Sequence, residues 1–212
     1  MTVTLTPSTR NITRVYRAAT AEQVANGVEW YARARRIAVE LDPQNVSRAA
    51  AVIALVSPLT PWGRNVWLAR EAYRMHAAGE DVATELPTLK GNARKVAAVL
   101  GGADPALVVT GLKVRSFWLT IADPSHPDAV VVDRHAYDVA VGKVTNDEVR
   151  GKGIGTPTRY AALSAAYVRA ARILSRETGT TILPSQVQAV TWVAWRQTMI
   201  RTAAAMRTEI VL

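Results

Sequence analysis

Gly111-Leu112-Lys113-Val114-Arg115-Ser116-Phe117 and Val130-Val131-Val132-Asp133-Arg134-His135-Ala136 carry the strongest indication of the fold class. A separation of about 20 residues between Lys113 and Asp133 leaves room for one helix and a connecting loop. Three β-branched valines would suit a strand, but ahead of Asp133 they suit equally an extended segment that feeds a helix. Asp133 then stands where a carboxylate accepts hydrogen bonds from the first helical amides and interacts favourably with the dipole. Other strand signals are sparse, so the chain reads as all-α.

Working outward, helix boundaries recur. Thr20-Ala21-Glu22-Gln23 is a capping box, predicting a helix to about Leu41. Asp42-Pro43, Thr60-Pro61, Asp104-Pro105 and Thr156-Pro157 each pair an N-cap with a first-turn proline. Gly79, Gly101-Gly102, Gly142 and Gly179 fall where helical patterns end. Ser185-Gln186-Val187-Gln188 reads as a second capping box, opening a helix through about Met206. Residues 1–19 read as an arm. Residues 143–156, with Lys143, Arg150, Lys152 and three glycines, read as a mobile basic loop, either a plain connector or a grip on phosphate through amides and cations.

Of 212 residues, 49% are hydrophobic, enough to bury a core as one domain or as two small helical lobes. The 26 Lys and Arg against 17 Asp and Glu give a net charge of +9 spread along the chain, a field attractive to phosphate or simply a basic surface. The absence of cysteine excludes disulfides, thiolate catalysis and cysteine-held zinc or iron-sulfur centres. There is no secretory pattern at the start and no run of roughly 18 apolar residues, so a cytoplasmic location away from membranes is expected.

The chemistry sits in the opening pair of segments. A lysine amine attacks a sugar carbon to form a Schiff base, and a carboxylate stabilises the cationic sugar that develops as a base departs. In order, Gly111, Lys113, the apolar run Phe117-Trp118-Leu119-Thr120-Ile121, and Val132-Asp133-Arg134-His135 resemble the helix-hairpin-helix DNA glycosylases, especially the 8-oxoguanine glycosylase branch. Upstream, Ser57-Pro58-Leu59-Thr60-Pro61-Trp62-Gly63-Arg64-Asn65-Val66 is similar to that family's interhelical loop, which inserts side chains into the space left by an extruded base. The family hairpin usually reads Leu-Pro-Gly-Val-Gly, whereas Val109-Thr110-Gly111-Leu112-Lys113 keeps one glycine.

The resemblance implies a two-lobed helical fold over residues 20–212, with 45–145 as the site-bearing part. It implies Lys113 and Asp133 as catalytic residues. Trp62, Arg64, Asn65, Gly111, Arg115, Arg134, His135, Arg150 and Lys152 would contact double-stranded DNA, the implied partner. No cofactor and no metal are required.

Each residue also has a plainer reading. Lys113 could be a solvated first-turn lysine. Asp133 could serve only as a cap. Trp62 could be a core or loop anchor. Trp192 and Trp195, followed by Arg196, could stack on bases, although burial against a second lobe is the stronger expectation. Three functions stay open: a glycosylase/lyase that releases a base, a transferase that hypermodifies a pyrimidine in phage DNA, and a DNA-binding protein without catalysis.

Overall fold

The computed structural model describes residues 6–209, with side chains through 199. Every element among the described residues is helical. The chain forms two compact units, one from Met1–Trp30 with Pro127–Leu212 and one from Tyr31–His126. The segment 45–145, expected to bear the site, therefore contributes to both.

The first unit opens with α1 (Thr9–Arg17) and α2 (Ala21–Val28). The expected arm is instead a packed helix: Ile12 is fully buried in the unit's core, and Asn11 donates to the Ala140 carbonyl at 3.1 Å. Met1 to Leu5 of that arm lie outside the described residues. The Thr20 capping box forms as read, with reciprocal bonds of 2.8 and 3.2 Å to Gln23. The helix it starts does not run to Leu41, because Glu29 ends it. Gly27 weakens helix propensity there, and a Cβ at this position would collide with the backbone of Val190.

The second unit holds α3 (Trp30–Leu41, entering from the boundary), α4 (Val46–Leu55), α5 (Trp62–Ala77), α6 (Val82–Glu85), α7 (Lys90–Leu100), α8 (Pro105–Val108) and α9 (Leu112–Ala122). Every residue from Ala49 to Leu55 is buried, so α4 is a central helix apolar on all sides. The Trp118 indole of α9 donates to the Ser47 carbonyl at 3.0 Å and ties the two helices. Asp42-Pro43 does not start a helix. Asp42 is buried and closes a turn instead, accepting from the Asn45 amide at 2.9 Å, and Asn45 caps α4.

Returning to the first unit, the chain adds α10 (Arg134–Val141), α11 (Asp147–Ile154), α12 (Pro157–Thr178) and α13 (Pro184–Glu209). Thr156 caps α12 as read, and Gly142 and Gly179 end their helices in the left-handed region at φ 81° and 69°. Leu163, Ala166, Tyr167, Ala170 and Leu174 form the buried stripe of α12, packing on Ala136, Val139 and Ala140 of α10. The Ser185 box does not form. Gln186 accepts the Leu183 amide at 2.9 Å, the helix starts at Pro184, two residues earlier than a Ser185 cap would set it, and Ser185 Oγ is buried without a partner among the described residues. Among the described residues, no helix is long and apolar enough to cross a membrane.

Candidate functional site

Asp133 is held from three directions. Val130, Val131 and Val132 are buried in an extended segment with no strand beside it, so their backbone groups need other partners. Tyr160 of α12 supplies them: its hydroxyl donates to the Val130 carbonyl at 2.9 Å and accepts from the Val132 amide at 3.0 Å. This fixes the approach to α10. Asp133 Oδ1 then accepts from the amides of His135 and Ala136 at 3.0 and 2.8 Å. Oδ2 accepts from the indole N–H of Trp192, on α13, at 3.0 Å. Three neutral donors hold the carboxylate, and among the described residues no cation lies within ion-pair distance of it.

Aromatic and cationic groups surround this carboxylate. The His135 ring stands edge-on to Trp192, with centroids 6.4 Å apart, and the Arg196 guanidinium lies over the Trp192 face at 4.6 Å. His135 Nδ1 is buried without a partner among the described residues, while Nε2 receives a long contact from Arg134 Nε at 3.4 Å. Burial pushes the His135 imidazole below its ordinary value; Asp133 and Asp138 pull it up, and Arg134 and Arg196 push it further down. Trp195 packs on a core, as the burial reading expects, but on that of its own unit.

In the second unit, Ser57-Pro58-Leu59-Thr60 forms a turn closed by the Thr60 amide on the Ser57 carbonyl at 3.2 Å. Proline sits at its second position, and Leu59 at its third has φ 59°. A type II turn requires this sign there, normally supplied by glycine or asparagine. Leu59 is the one non-glycine residue with positive φ among the described residues, and it is 95% exposed. The surrounding loop is tied down: Ser57 Oγ donates to the Ala54 carbonyl at 2.8 Å and Thr60 Oγ1 to the Pro58 carbonyl at 3.0 Å.

After this turn, the expected contact residues separate. Trp62 stands edge-on to Phe117 of α9, centroids 6.5 Å apart. Arg64 is exposed and lies over the Trp67 ring at 3.9 Å. Asn65 does not reach outward: it is 1% exposed and donates to the Ile53 carbonyl at 3.0 Å, tying α5 to α4. A residue so engaged is not available to fill a gap in a duplex.

Gly111 is the N-cap of α9 and brings no side chain to its free amides. Lys113, in the first turn, is half-buried and makes no ion pair among the described residues. Arg115 is exposed and reaches the Ala106 carbonyl at 3.3 Å. Lys113 belongs to the second unit and Asp133 to the first.

The expected basic loop is largely helical. Asn146 caps α11 by accepting the Val149 amide at 2.9 Å, and α11 packs so closely that a Cβ on Gly153 would collide with the Tyr137 ring. Arg150 is committed to the buried Asp138, with Nη2 to Oδ2 at 2.6 Å, and so is not a free phosphate contact. Lys152 stays exposed and pairs with Glu148 one turn earlier.

The sequence profile of one protein family matches residues 1–199. The chain belongs to DUF7178, a family of unknown function. No curated protein and no solved structure matches the chain.

The span matched to DUF7178 takes in Leu59, Lys113, Asp133 and Trp192. Two groups around Asp133 were invisible to local pattern reading, since Tyr160 and Trp192 come from distant helices. Leu59 did carry a signal. A turn-forming proline followed by a leucine where the turn demands glycine places an apolar side chain on the surface at a conformational cost.

Proposed function

We propose that this DUF7178 chain is a DNA base-processing enzyme that parts a duplex with Leu59 and acts on the extruded nucleotide. The observation that carries this reading is Leu59 itself. A leucine in the left-handed region costs roughly 1–2 kcal/mol, and full exposure gains it no burial in return. Strain of this kind is concentrated where a side chain must be presented. An apolar wedge that enters a base stack recovers the cost by burial against the bases it separates. A resemblance to helix-hairpin-helix glycosylases would put an inserting loop at this stretch, and the turn's internal hydrogen bonds suit it to push without collapsing.

Two further residues take chemical roles in this reading. Asp133, oriented by neutral donors and, among the described residues, without a paired cation, suits stabilisation of the positive sugar that forms as the glycosidic bond breaks. Lys113 attacks C1′ through its amine nitrogen; the C–N bond forms while the base leaves with the bonding pair and takes up the proton that the nitrogen sheds. The α8–Val109-Thr110-Gly111–α9 segment, a short helix, a three-residue link and a longer helix, suits phosphate contact through the uncapped amides of α9. Base transfer in place of base release is the alternative outcome, to which the single hairpin glycine lends weight.

A duplex carrying 2-aminopurine tests the extrusion step. Binding should raise its fluorescence as the probe unstacks, and Leu59→Gly should abolish the rise while leaving the phosphate contacts in place. An equal rise with Leu59→Gly, or binding without any rise in the wild type, would overturn the role given to Leu59.

A further inference from the structure

We infer that Trp192 is the positioning residue for Asp133, acting through its indole N–H. The inference rests on the role proposed for Asp133 and adds what aims it. The two amides of α10 reach only Oδ1, at 3.0 and 2.8 Å, and would hold the carboxylate as a simple helix cap. The sp³–sp² torsion of an aspartate is broad, so a donor on Oδ2 narrows the rotation about Cβ–Cγ that the two amides still allow. Among the described residues Trp192 supplies that donor, at 3.0 Å, and it comes from a helix far along the chain.

The indole is itself fixed on two sides. Arg196 covers its face at 4.6 Å, and the His135 ring meets it edge-on at 80°. A donor held this way sets the plane of the carboxylate before any ligand arrives, so no reorientation is needed as charge develops. Burial alone does not account for Trp192. It is only partly buried, and Trp195, three residues on, packs on the core with an indole N–H that bonds nothing among the described residues. One helix thus carries two tryptophans, one whose N–H is used and one whose N–H is not.

That contrast supplies the test. In the full chain, 3-benzothienylalanine replaces Trp192 or, separately, Trp195; a ring sulfur takes the place of N–H and the shape is kept. Both variants are assayed with Asp133→Asn on an oligonucleotide that the wild type processes. Loss of one hydrogen bond to a carboxylate should lower kcat about tenfold or more at position 192, with KM unchanged. The same replacement at 195 should leave both unchanged. In the spectrum of ¹⁵N-indole-labelled protein, Asp133→Asn should move the Trp192 N–H resonance and leave that of Trp195 in place. An unchanged kcat at 192 while Asp133→Asn loses turnover would overturn the inference and leave the role of Asp133 standing. Normal turnover by Asp133→Asn would overturn that role and the inference together, as would the absence of any processed oligonucleotide.

Discussion

Arg150 presents its guanidinium to both oxygens of Asp138, with Nε 3.2 Å from each and Nη2 2.6 Å from Oδ2. The Asp138 side chain is fully buried and that of Arg150 is 13% exposed. Thr145 Oγ1 also donates to Asp138, at 2.6 Å, so the carboxylate joins α10 to the segment leading into α11. Breaking one side of a buried pair leaves an uncompensated charge, which costs about 3–5 kcal/mol. Arg150→Gln is therefore expected to destabilise the protein by an amount of that order in chemical denaturation. Lys152→Gln removes only an exposed pair and is expected to stay within about 0.5 kcal/mol.

Leu59→Gly should act in the opposite direction on stability. Glycine adopts positive φ without the Cβ penalty, so the variant should be unchanged or more stable by up to about 1 kcal/mol, even after its greater unfolded-state entropy. A higher or equal Tm combined with lost unstacking of 2-aminopurine is the expected result. A large fall in Tm would show that Leu59 supports the fold.

The exposed arginines should carry the salt dependence that the buried one does not. If Arg64, Arg115 and Arg134 meet phosphates, log affinity for duplex DNA falls linearly with log salt, and each Arg→Gln change reduces the slope by about 1. Unchanged slopes in all three, measured by fluorescence anisotropy across a salt series, would remove these residues from the interface.

His135 and Asp42 give two separate pH windows. The folded-state value of His135 is depressed, chiefly by burial, with Asp133 and Asp138 opposing and Arg134 and Arg196 adding to the fall. The unfolded chain then binds a proton more readily, so stability is full above the ordinary value of 6.5 and is lost as pH falls through the lower folded value. His135→Gln should flatten that part of the profile. Asp42 is also depressed: burial raises it, but hydrogen bonds from Arg48, the Asn45 amide and Tyr73 outweigh burial. Its contribution should vanish only below the ordinary 3.8. Urea unfolding at stepped pH checks both, and a flat profile between pH 7 and 5 would contradict the first.

Local chemistry made much of the fold legible. The Thr20 box, the Thr156 cap and the positive-φ glycines depend on neighbours within a few residues, so the local sequence declares them. The errors came from competition for the same groups. The Gln186 side chain caps the Leu183 amide and starts the helix upstream of Ser185, and Asp42 was claimed by Arg48 and Asn45 before it could start a helix. The charged, glycine-rich run before Gly155 read as a loop because its helix is held by Asp138, a partner outside the run. At the site, the capping role of Asp133 was legible; Tyr160 and Trp192, which aim it, were not. Asn65 was misread for the same reason, since only the packed α4 supplies its acceptor.

We propose that this chain changes a base in DNA. Mass spectrometry of intact oligonucleotides and of released small molecules, after incubation with duplexes carrying damaged and hypermodified bases, tests it most directly. A free base is expected from at least one duplex, or a gain in DNA mass if the reaction is transfer, with Asp133→Asn suppressing either product. Unaltered DNA and no released base across the whole panel, under conditions where the protein binds duplex, would contradict it.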